Sequence, residues 1–221
     1  MTTNDRVRDD RAMNDRAMND DELADELELA FQDSADHLAR LQQRLAVAAG
    51  DEGILDLAYR TVDSPVGELL LVATDVGLVR VAFATEDHDR VLADLAGRIS
   101  PRILQAPTRL DPAARALDEY FDGSRRVFDV DLDWRLSAGF RGEVLHHLPE
   151  IRYGSTASYA AVAALADNPK AVRAVGSACA TNPLPVVIPC HRVVRSDGTL
   201  GGYLGGVDAK RTLLDLEARG A

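Results

Sequence analysis

The stretch Ile188-Pro189-Cys190-His191-Arg192-Val193-Val194 places a thiol directly before an imidazole. It lies between an apolar run that starts at Leu184 and a glycine-rich loop, Gly198 to Gly206. A cysteine in this setting can be a nucleophile, a metal ligand or a small core residue. The rest of the sequence bears on which of these three roles Cys190 has.

A metal site around Cys190 is not indicated. Cysteine ligands need partners at characteristic spacings, but the only other thiol is Cys179, and no further cysteine or paired histidine lies near Cys190 in the sequence. We therefore predict no metal and no cofactor. Two cysteines also cannot build a disulfide framework, which is typical of a cytoplasmic protein.

A nucleophilic cysteine needs a lowered pKa and a base. His191 is adjacent to Cys190, and Arg192 adds positive charge. Glu217 stands on an amphipathic helix predicted over residues 209–218, and from there it could orient a histidine. On these features alone, a nucleophilic Cys190 and a buried structural Cys190 remain equally open.

The 221-residue chain has a net charge of −11, but this charge is unevenly distributed. Residues 1–56 hold 15 acidic and 6 basic side chains, whereas residues 151–211 hold 3 acidic and 7 basic ones. The basic segment therefore contains Cys190. A phosphate backbone responds to local charge within about 8 Å, so the overall acidity does not exclude a nucleic-acid partner.

The sequence predicts an acidic extension over residues 1–54. Its first 21 residues are polar and charged, so they are predicted to be disordered and do not read as a secretory signal. A leucine-rich stripe then predicts one amphipathic helix at about Asp21 to Ala49, which either packs on the protein itself or binds a protein partner. No apolar run is long enough to cross a membrane.

Residues 55–135 predict a small α/β domain. Strands are expected at Leu57–Val62, Glu68–Thr74, Leu78–Ala84 and Phe128–Trp134. Helices are expected at about Asp87–Arg98 and from Pro107 to Phe121. This part has no thiol and no glycine-rich phosphate loop, so a structural role is favoured.

Residues 136–221 predict a mainly α domain. Helices are expected at Ala138–Leu148, at Tyr159–Ala166 with Ser158 as its cap, and from Asn168-Pro169 to Ala180. Two short helices joined by so few residues indicate a helix-turn-helix. The second of them has an apolar face and an opposite face that is basic or small, as a helix that approaches phosphates requires. Its apolar positions are Val172, Val175 and Cys179, and its basic or polar positions are Lys170, Arg173 and Ser177.

The segment Pro189-Cys190-His191-Arg192-Val193 resembles the active-site signature of the O6-alkylguanine-DNA alkyltransferases. Further segments are similar to this family in the same order: Tyr153-Gly154, Ser158-Tyr159, Asn168 to Gly176, Asn182-Pro183, Gly201 to Gly206 and Lys210 to Glu217. The resemblance is strong over 138–217 and weaker over 55–137. It implies a ribonuclease-H-like α/β N-terminal domain, a small β-sheet with helices, followed by a mainly α domain with a helix-turn-helix.

The resemblance also implies a role for each matched residue at the reactive centre. Cys190 would attack the alkyl carbon, His191 would accept the thiol proton, and Glu217 would hold the imidazole ring. Asn182 would tie the recognition helix to the Cys190 loop, and Tyr159 would crowd the phosphate and help to rotate the nucleotide out of the duplex.

A second group of matched residues would contact DNA or the extruded base. Arg173 would fill the vacated position in the base stack, while Tyr203 and nearby backbone groups would stabilise the departing guanine oxygen. The remaining members of this group, which would let the helix enter the minor groove or would face the substrate and its phosphates, are Ala171, Ala174, Gly176, Ser158, Gly205 and Lys210.

The implied function is repair of double-stranded DNA. One alkyl group would move irreversibly from O6-alkylguanine, or from O4-alkylthymine, to Cys190 of a monomer. A non-catalytic lesion sensor is an alternative, but the sensors related to this family lack the cysteine that is present here. A cysteine hydrolase is a third reading, and the adjacency of Cys190 and His191 counts against it.

Overall fold

The computed structural model describes residues 37–220. The strands, the helices after residue 51 and the candidate site all belong to one compact unit, Gln42–Ala221. Residues 37–51 are helical (α1), and the chain leaves this helix through Gly53, whose φ is +67°. The earlier part of the predicted amphipathic helix and the segment predicted to be disordered lie outside the described residues.

Four strands form the sheet of the N-terminal part. They are β1 (Leu57–Val62), β2 (Leu69–Ala73), β3 (Leu78–Phe83) and β4 (Ile103–Gln105), and their spatial order is β3-β2-β1-β4. β1, β2 and β3 pair antiparallel, whereas β4 adds in parallel to β1. The β1–β2 connection uses Gly67 at φ +93°, and Ser64 closes the turn by accepting from the Val66 N–H and donating to the Gly67 carbonyl.

The central strand β2 is buried along its whole length because both faces of the sheet are covered. Helix α2 (His88–Arg98) lies on one face, where Leu95 packs with Leu70 and Val72. Helix α3 (Asp111–Phe121) belongs to the core on the other face, which Leu69 and Leu71 enter. The alternation along β2 therefore supplies two hydrophobic cores rather than one.

The strand predicted at Phe128–Trp134 is wrong. Only an isolated bridge joins Leu132 to Leu78, through two backbone hydrogen bonds of 2.8 and 2.9 Å, so no ladder extends from it. The segment is held at one point because Gly77 lets it come close: a Cβ on Gly77 would stand 2.4 Å from the Asp131 carbonyl oxygen. Asp133 instead accepts hydrogen bonds from the Thr74 hydroxyl and from the Arg135 N–H, and the second of these caps the 3-10 turn Trp134–Leu136.

The C-terminal part is helical, as predicted. Its helices are α4 (Gly139–His147), α5 (Tyr159–Leu165), α6 (Val172–Ala180) and α7 (Gly206–Gly220), and the two-residue strands β5 (Ala157–Ser158) and β6 (Val193–Val194) pair in parallel. Ser158 caps α5 by accepting a hydrogen bond from the Ala161 N–H. Within residues 37–220, no helix is long and apolar enough to span a membrane.

Helices α5 and α6 form the predicted helix-turn-helix, but α6 begins later than expected. The reversal uses Asp167 at φ +51° and a turn in which the Ala171 N–H donates to the Asn168 carbonyl. Asn168 and Pro169 are therefore part of the turn, and the first helical residue is Val172. After α6, the Pro183 carbonyl accepts the Val81 N–H of β3, which ties the sheet to the loop that leads to Cys190.

Candidate active site

Cys190 begins a 3-10 turn, Cys190–Arg192, directly after Pro189. Asn182 Nδ2 donates to Cys190 Sγ over 3.1 Å and to the Ile188 carbonyl over 2.9 Å, while Asn182 Oδ1 accepts the Leu184 N–H over 3.0 Å. This fully buried amide therefore fixes the loop and the sulfur together. Cys190 is only 2% exposed, so only a group that enters the protein can reach the sulfur.

His191 follows Cys190 and is fully buried. Its Nε2 lies 2.9 Å from Glu217 Oε1, across the contact between the turn and α7. Its other ring nitrogen, Nδ1, is buried without a hydrogen-bond partner in the described part of the chain. Because an ionised carboxylate can only accept, Nε2 carries the proton of the neutral ring and Nδ1 is left with a lone pair that can accept one.

Glu217 is the most heavily hydrogen-bonded side chain of the cluster. Arg192 donates to both of its oxygens over distances of 2.9 to 3.2 Å, and the Gly154 N–H donates to Oε2 over 3.1 Å. The Tyr120 hydroxyl donates to Oε1 over 2.7 Å. Burial alone would raise the pKa of Glu217, but the hydrogen bonds from His191 and Arg192 outweigh it and lower that pKa to about 2.

The Cys190 thiol and the His191 imidazole, which would exchange a proton, are both neutral before a substrate binds. Burial raises the pKa of the Cys190 thiol to about 11, although the hydrogen bond from Asn182 and the charge of Lys210 oppose this shift. Burial also lowers the pKa of His191 against the opposing pull of Glu217. Cys190 is thus a protonated thiol and His191 a neutral imidazole, which are the protonation states from which general-base activation of a nucleophile starts.

Lys210 does not lie where a phosphate contact would need it. It is fully buried, and its Nζ donates to the Val193 carbonyl over 2.6 Å. The predicted DNA contact of Lys210 is therefore incompatible with this position, because its aliphatic chain runs inward from α7 and its ammonium group is used inside the protein. There it lowers the pKa of Cys190, as a positive charge near a thiol should.

The glycine-rich loop after the active-site turn is held by aromatic rings. A Cβ on Gly201 would stand 2.4 Å from the Tyr159 hydroxyl, and one on Gly205 would stand 2.6 Å from the Phe83 ring. The Tyr203 ring contacts Phe83 edge-on at 5.6 Å and lies 6.4 Å from the His191 ring. Glycine is therefore required at both positions for close approach, and Tyr203 covers the imidazole.

Helix α6 presents the predicted two faces. Val175 and Cys179 are buried, and burial raises the pKa of the Cys179 thiol to about 12, which fits a packed residue. Arg173 and Ala174 are exposed. Val172, predicted on the apolar face, is 37% exposed because it is the first residue of the helix.

The structure brings Cys190, His191, Glu217 and Asn182 into one buried cluster, with Tyr203 and Tyr159 against the loop that covers it. It does not bring Arg173 there, since this side chain is exposed on the surface. Sequence reasoning assigned no role to Tyr120 or Gly154, and it treated Arg192 only as nearby charge. Within residues 37–220, no group of three histidine, cysteine, aspartate or glutamate residues could hold a metal ion.

Two family models match the chain. The model described as "6-O-methylguanine DNA methyltransferase, ribonuclease-like domain" covers residues 57–134, and "6-O-methylguanine DNA methyltransferase, DNA binding domain" covers residues 139–219. A methylated-DNA–protein-cysteine methyltransferase of Mycolicibacterium paratuberculosis is 39% identical over 163 residues, which is 74% of this chain and 93% of that protein. The constitutive enzyme of the same name from Bacillus subtilis is 35% identical over 160 residues, or 72% of this chain and 94% of that protein.

Solved structures agree with these matches. The O6-methylguanine methyltransferase of Mycobacterium tuberculosis superimposes with a TM-score of 0.66 at 36% identity, covering 75% of this chain and 94% of that one. A crystal structure of the M. tuberculosis protein OGT in complex with DNA superimposes with a TM-score of 0.63 at 35% identity, over 74% of this chain and 94% of that one. The predicted fold class, an α/β domain followed by a helical domain with a helix-turn-helix, is confirmed.

Proposed function

Because the chain belongs to the 6-O-methylguanine DNA methyltransferase family, we propose that it repairs DNA by moving the alkyl group of O6-alkylguanine irreversibly to Cys190. Its activity is that of a methylated-DNA–protein-cysteine methyltransferase. The observation that carries the proposal is the arrangement around the sulfur: Asn182 holds Cys190, and next to it His191 keeps a buried, unpartnered Nδ1 while Glu217 fixes Nε2.

The substrate is double-stranded DNA, and the damaged base has to leave the stack. An alkyl group on O6 lies on the pairing edge of guanine, and extruding the base costs a few kcal/mol. The exposed Arg173 on α6 is suited to fill the vacated position, while the small residues Ala171, Ala174 and Gly176 allow the helix a close approach. The relative that was solved with DNA supports this partner.

The chemical step needs only groups of this chain and one water molecule. His191 Nδ1 takes the proton of the Cys190 thiol through that water, and the thiolate attacks the alkyl carbon. The S–C bond forms as the C–O6 bond breaks, and its electron pair stays on the guanine, where Tyr203 and neighbouring backbone N–H groups stabilise the charge until the imidazolium returns the proton. An alkyl group on O4 of thymine presents the same carbon to the same sulfur.

The product is a thioether, which water does not displace at neutral pH. Cys190 is therefore consumed, and each molecule acts once, as a monomer and without a cofactor. The division of labour is part of the same proposal: residues 136–221 bind DNA and carry the nucleophile, and residues 55–135 support them. The helix predicted in the acidic extension over residues 1–54 either packs on the protein itself or binds a protein partner. The proposed location of the protein is the cytoplasm.

The test is a mass measurement on Cys190. The protein is incubated with duplex DNA that contains O6-methylguanine, and the peptide that holds Cys190 is weighed, with Cys190→Ser as the control. A lasting gain of one CH2 on the wild-type peptide alone supports the proposal. Binding without any gain would identify a lesion sensor, and turnover of an ester with no lasting adduct would identify a hydrolase. Either of these two results overturns it.

A further inference from the structure

Tyr120 reaches the reactive cluster from the other part of the molecule. It lies on α3, packed under the sheet, and its side chain is fully buried. Its hydroxyl donates to Glu217 Oε1 over 2.7 Å, and the Tyr120 hydroxyl oxygen also lies 3.4 Å from His191 Nε2. Since Glu217 Oε1 is itself 2.9 Å from His191 Nε2, three polar atoms from three distant segments form a closed triangle.

The direction of the protons in this triangle is determined. Burial, and then the negative charge of Glu217, raise the pKa of Tyr120 far above its ordinary value, so the phenol keeps its proton and donates it. Glu217 is ionised and only accepts. Nε2 of His191 therefore has to donate into the triangle, which leaves Nδ1 as the acceptor for the thiol proton.

We propose that Tyr120 is a positioning residue for the alkyl transfer: through Glu217, its hydroxyl holds His191 in the orientation and tautomer that expose Nδ1 to Cys190. The inference rests on the proposed function, which makes His191 the base. It also assigns a part in the reaction to the α/β domain, residues 55–135, for which the sequence predicts only a structural role. Tyr120 acts on the imidazole through Glu217 and through its own weaker contact with His191 Nε2, and not on the sulfur.

Packing alone does not account for a tyrosine at this position. The Tyr120 ring lies 5.2 to 6.0 Å from the rings of Phe121, Phe128 and Tyr153, a cluster that a phenylalanine would fill equally well. What the hydroxyl adds is a donor for one carboxylate oxygen. Without it, Glu217 Oε1 keeps only His191 and Arg192, and the carboxylate can turn toward the guanidinium.

The charge balance gives the direction of the expected change. A hydrogen bond from Tyr120 withdraws negative charge from Glu217 and so weakens the pull of that carboxylate on the His191 proton. The other charged groups near the ring, Arg192 and Lys210, lower the pKa of His191 and are unchanged when the hydroxyl is removed. The neighbouring titratable groups that are neutral at neutral pH are Tyr153, Tyr203 and Cys190. Loss of the Tyr120 hydroxyl should therefore raise the pKa of His191.

The experiment compares Tyr120→Phe with Tyr153→Phe. Tyr153 is the matched control, because its ring packs on Tyr120 and Arg192 while its buried hydroxyl has no partner among residues 37–220.

The pKa of His191 is measured by NMR without DNA, and alkyl transfer from duplex DNA is measured against pH. For Tyr120→Phe we expect the acid limb of the rate profile to move to higher pH and the rate at pH 7 to fall about tenfold, the value of one hydrogen bond to a charged group. Tyr153→Phe should change neither.

The proposal is overturned if Tyr120→Phe keeps the wild-type pH profile and rate, or if Tyr153→Phe shifts both equally.

An NMR measurement on the wild type tests the triangle even if the variant does not fold. A Tyr120 hydroxyl proton in slow exchange, with a through-space contact to the Nε2 proton of His191, supports the triangle. The absence of this signal refutes it. Neither NMR measurement needs alkyl transfer. A wild type that takes no alkyl group from DNA would therefore disprove the repair function and leave the hydrogen-bond geometry as a separate result.

Discussion

The buried cluster around Glu217 and the exposed face of α6 serve one reaction with opposite construction. Glu217 is fully buried and accepts hydrogen bonds from the buried side chains of Tyr120, His191 and Arg192. A fourth hydrogen bond comes from the Gly154 N–H. Arg173 on α6 extends into solvent and makes no side-chain hydrogen bond or ion pair in the described part of the chain. A substitution in the cluster should therefore alter folding and chemistry together, whereas one on α6 should alter only the steps that involve DNA.

The largest effect is expected from Glu217→Gln. It leaves the buried Arg192 guanidinium without its counter-charge, which typically costs about 3–5 kcal/mol of stability. It also removes the group that orients His191, so alkyl transfer should slow about 100-fold, the lower range for loss of general-base action. Urea unfolding and single-turnover transfer give the two numbers.

Asp215→Asn is the matched control for this substitution, since it removes an exposed carboxylate from the same helix. It should change stability by less than about 0.5 kcal/mol. Equal loss of stability in the two variants would mean that the buried network does not set the stability of the C-terminal part, and the contrast with α6 would fail.

The next effect is a loss of stability in acid. The folded pKa of Glu217 is about 2, below its ordinary value of 4.5, so its contribution is present above about pH 4.5 and is lost as pH falls toward 2. A shift of this size corresponds to roughly 3 kcal/mol. Urea unfolding of the wild type from pH 6 to pH 2 should show this loss, and Glu217→Gln should lack that part of it. Parallel curves for both proteins would contradict the assignment.

These buried contacts are what the sequence could not supply. The roles of Cys190, His191 and Glu217 were predicted from a matched motif, and three of the four sheet strands from apolar runs that turn residues separate. Tyr120 lies in an apolar helix stripe at a position where any aromatic residue would suit, so nothing local marks its hydroxyl. Lys210 was predicted to contact DNA because of the family resemblance, and only the three-dimensional packing shows that its side chain is buried.

The two errors of secondary structure have the same origin. The segment Phe128–Trp134 alternates like a strand, but the edge beside β3 offers it only the single bridge at Leu78. Strand β4 was missed because its three residues, Ile103–Gln105, are too few to show a period, and they become a strand only through parallel pairing with β1. Alternation records which side chains are buried, while pairing depends on a neighbour that is distant in the sequence.

A smaller effect, confined to one substrate, is expected from Arg173→Ala. If this side chain fills the stack that the damaged base leaves, its loss should slow transfer from duplex DNA about 10- to 100-fold, because the cost of extrusion, a few kcal/mol, is then no longer offset. Transfer from free O6-benzylguanine should stay at the wild-type rate, since that substrate has no stack to fill. Urea unfolding should shift by less than about 0.5 kcal/mol, because the side chain is exposed. Equal slowing on both substrates would place Arg173 in the chemistry and not in base extrusion.

The smallest effect tests whether the basic face of α6 acts by charge alone. Lys170 is exposed in the turn that precedes this helix, and if it neutralises one phosphate, Lys170→Ala should weaken DNA binding severalfold at low salt. The plot of log affinity against log salt concentration should become shallower by about 0.9, the contribution of one released counterion. Arg102→Ala is the control, because Arg102 is an exposed cation of the sheet region that already pairs with Asp56 at 2.8 Å. If Arg102→Ala changes the salt slope as much as Lys170→Ala does, the charge that DNA responds to is not confined to the region of α6. Because the net charge of the protein is −11, DNA would then have to bind at another basic face.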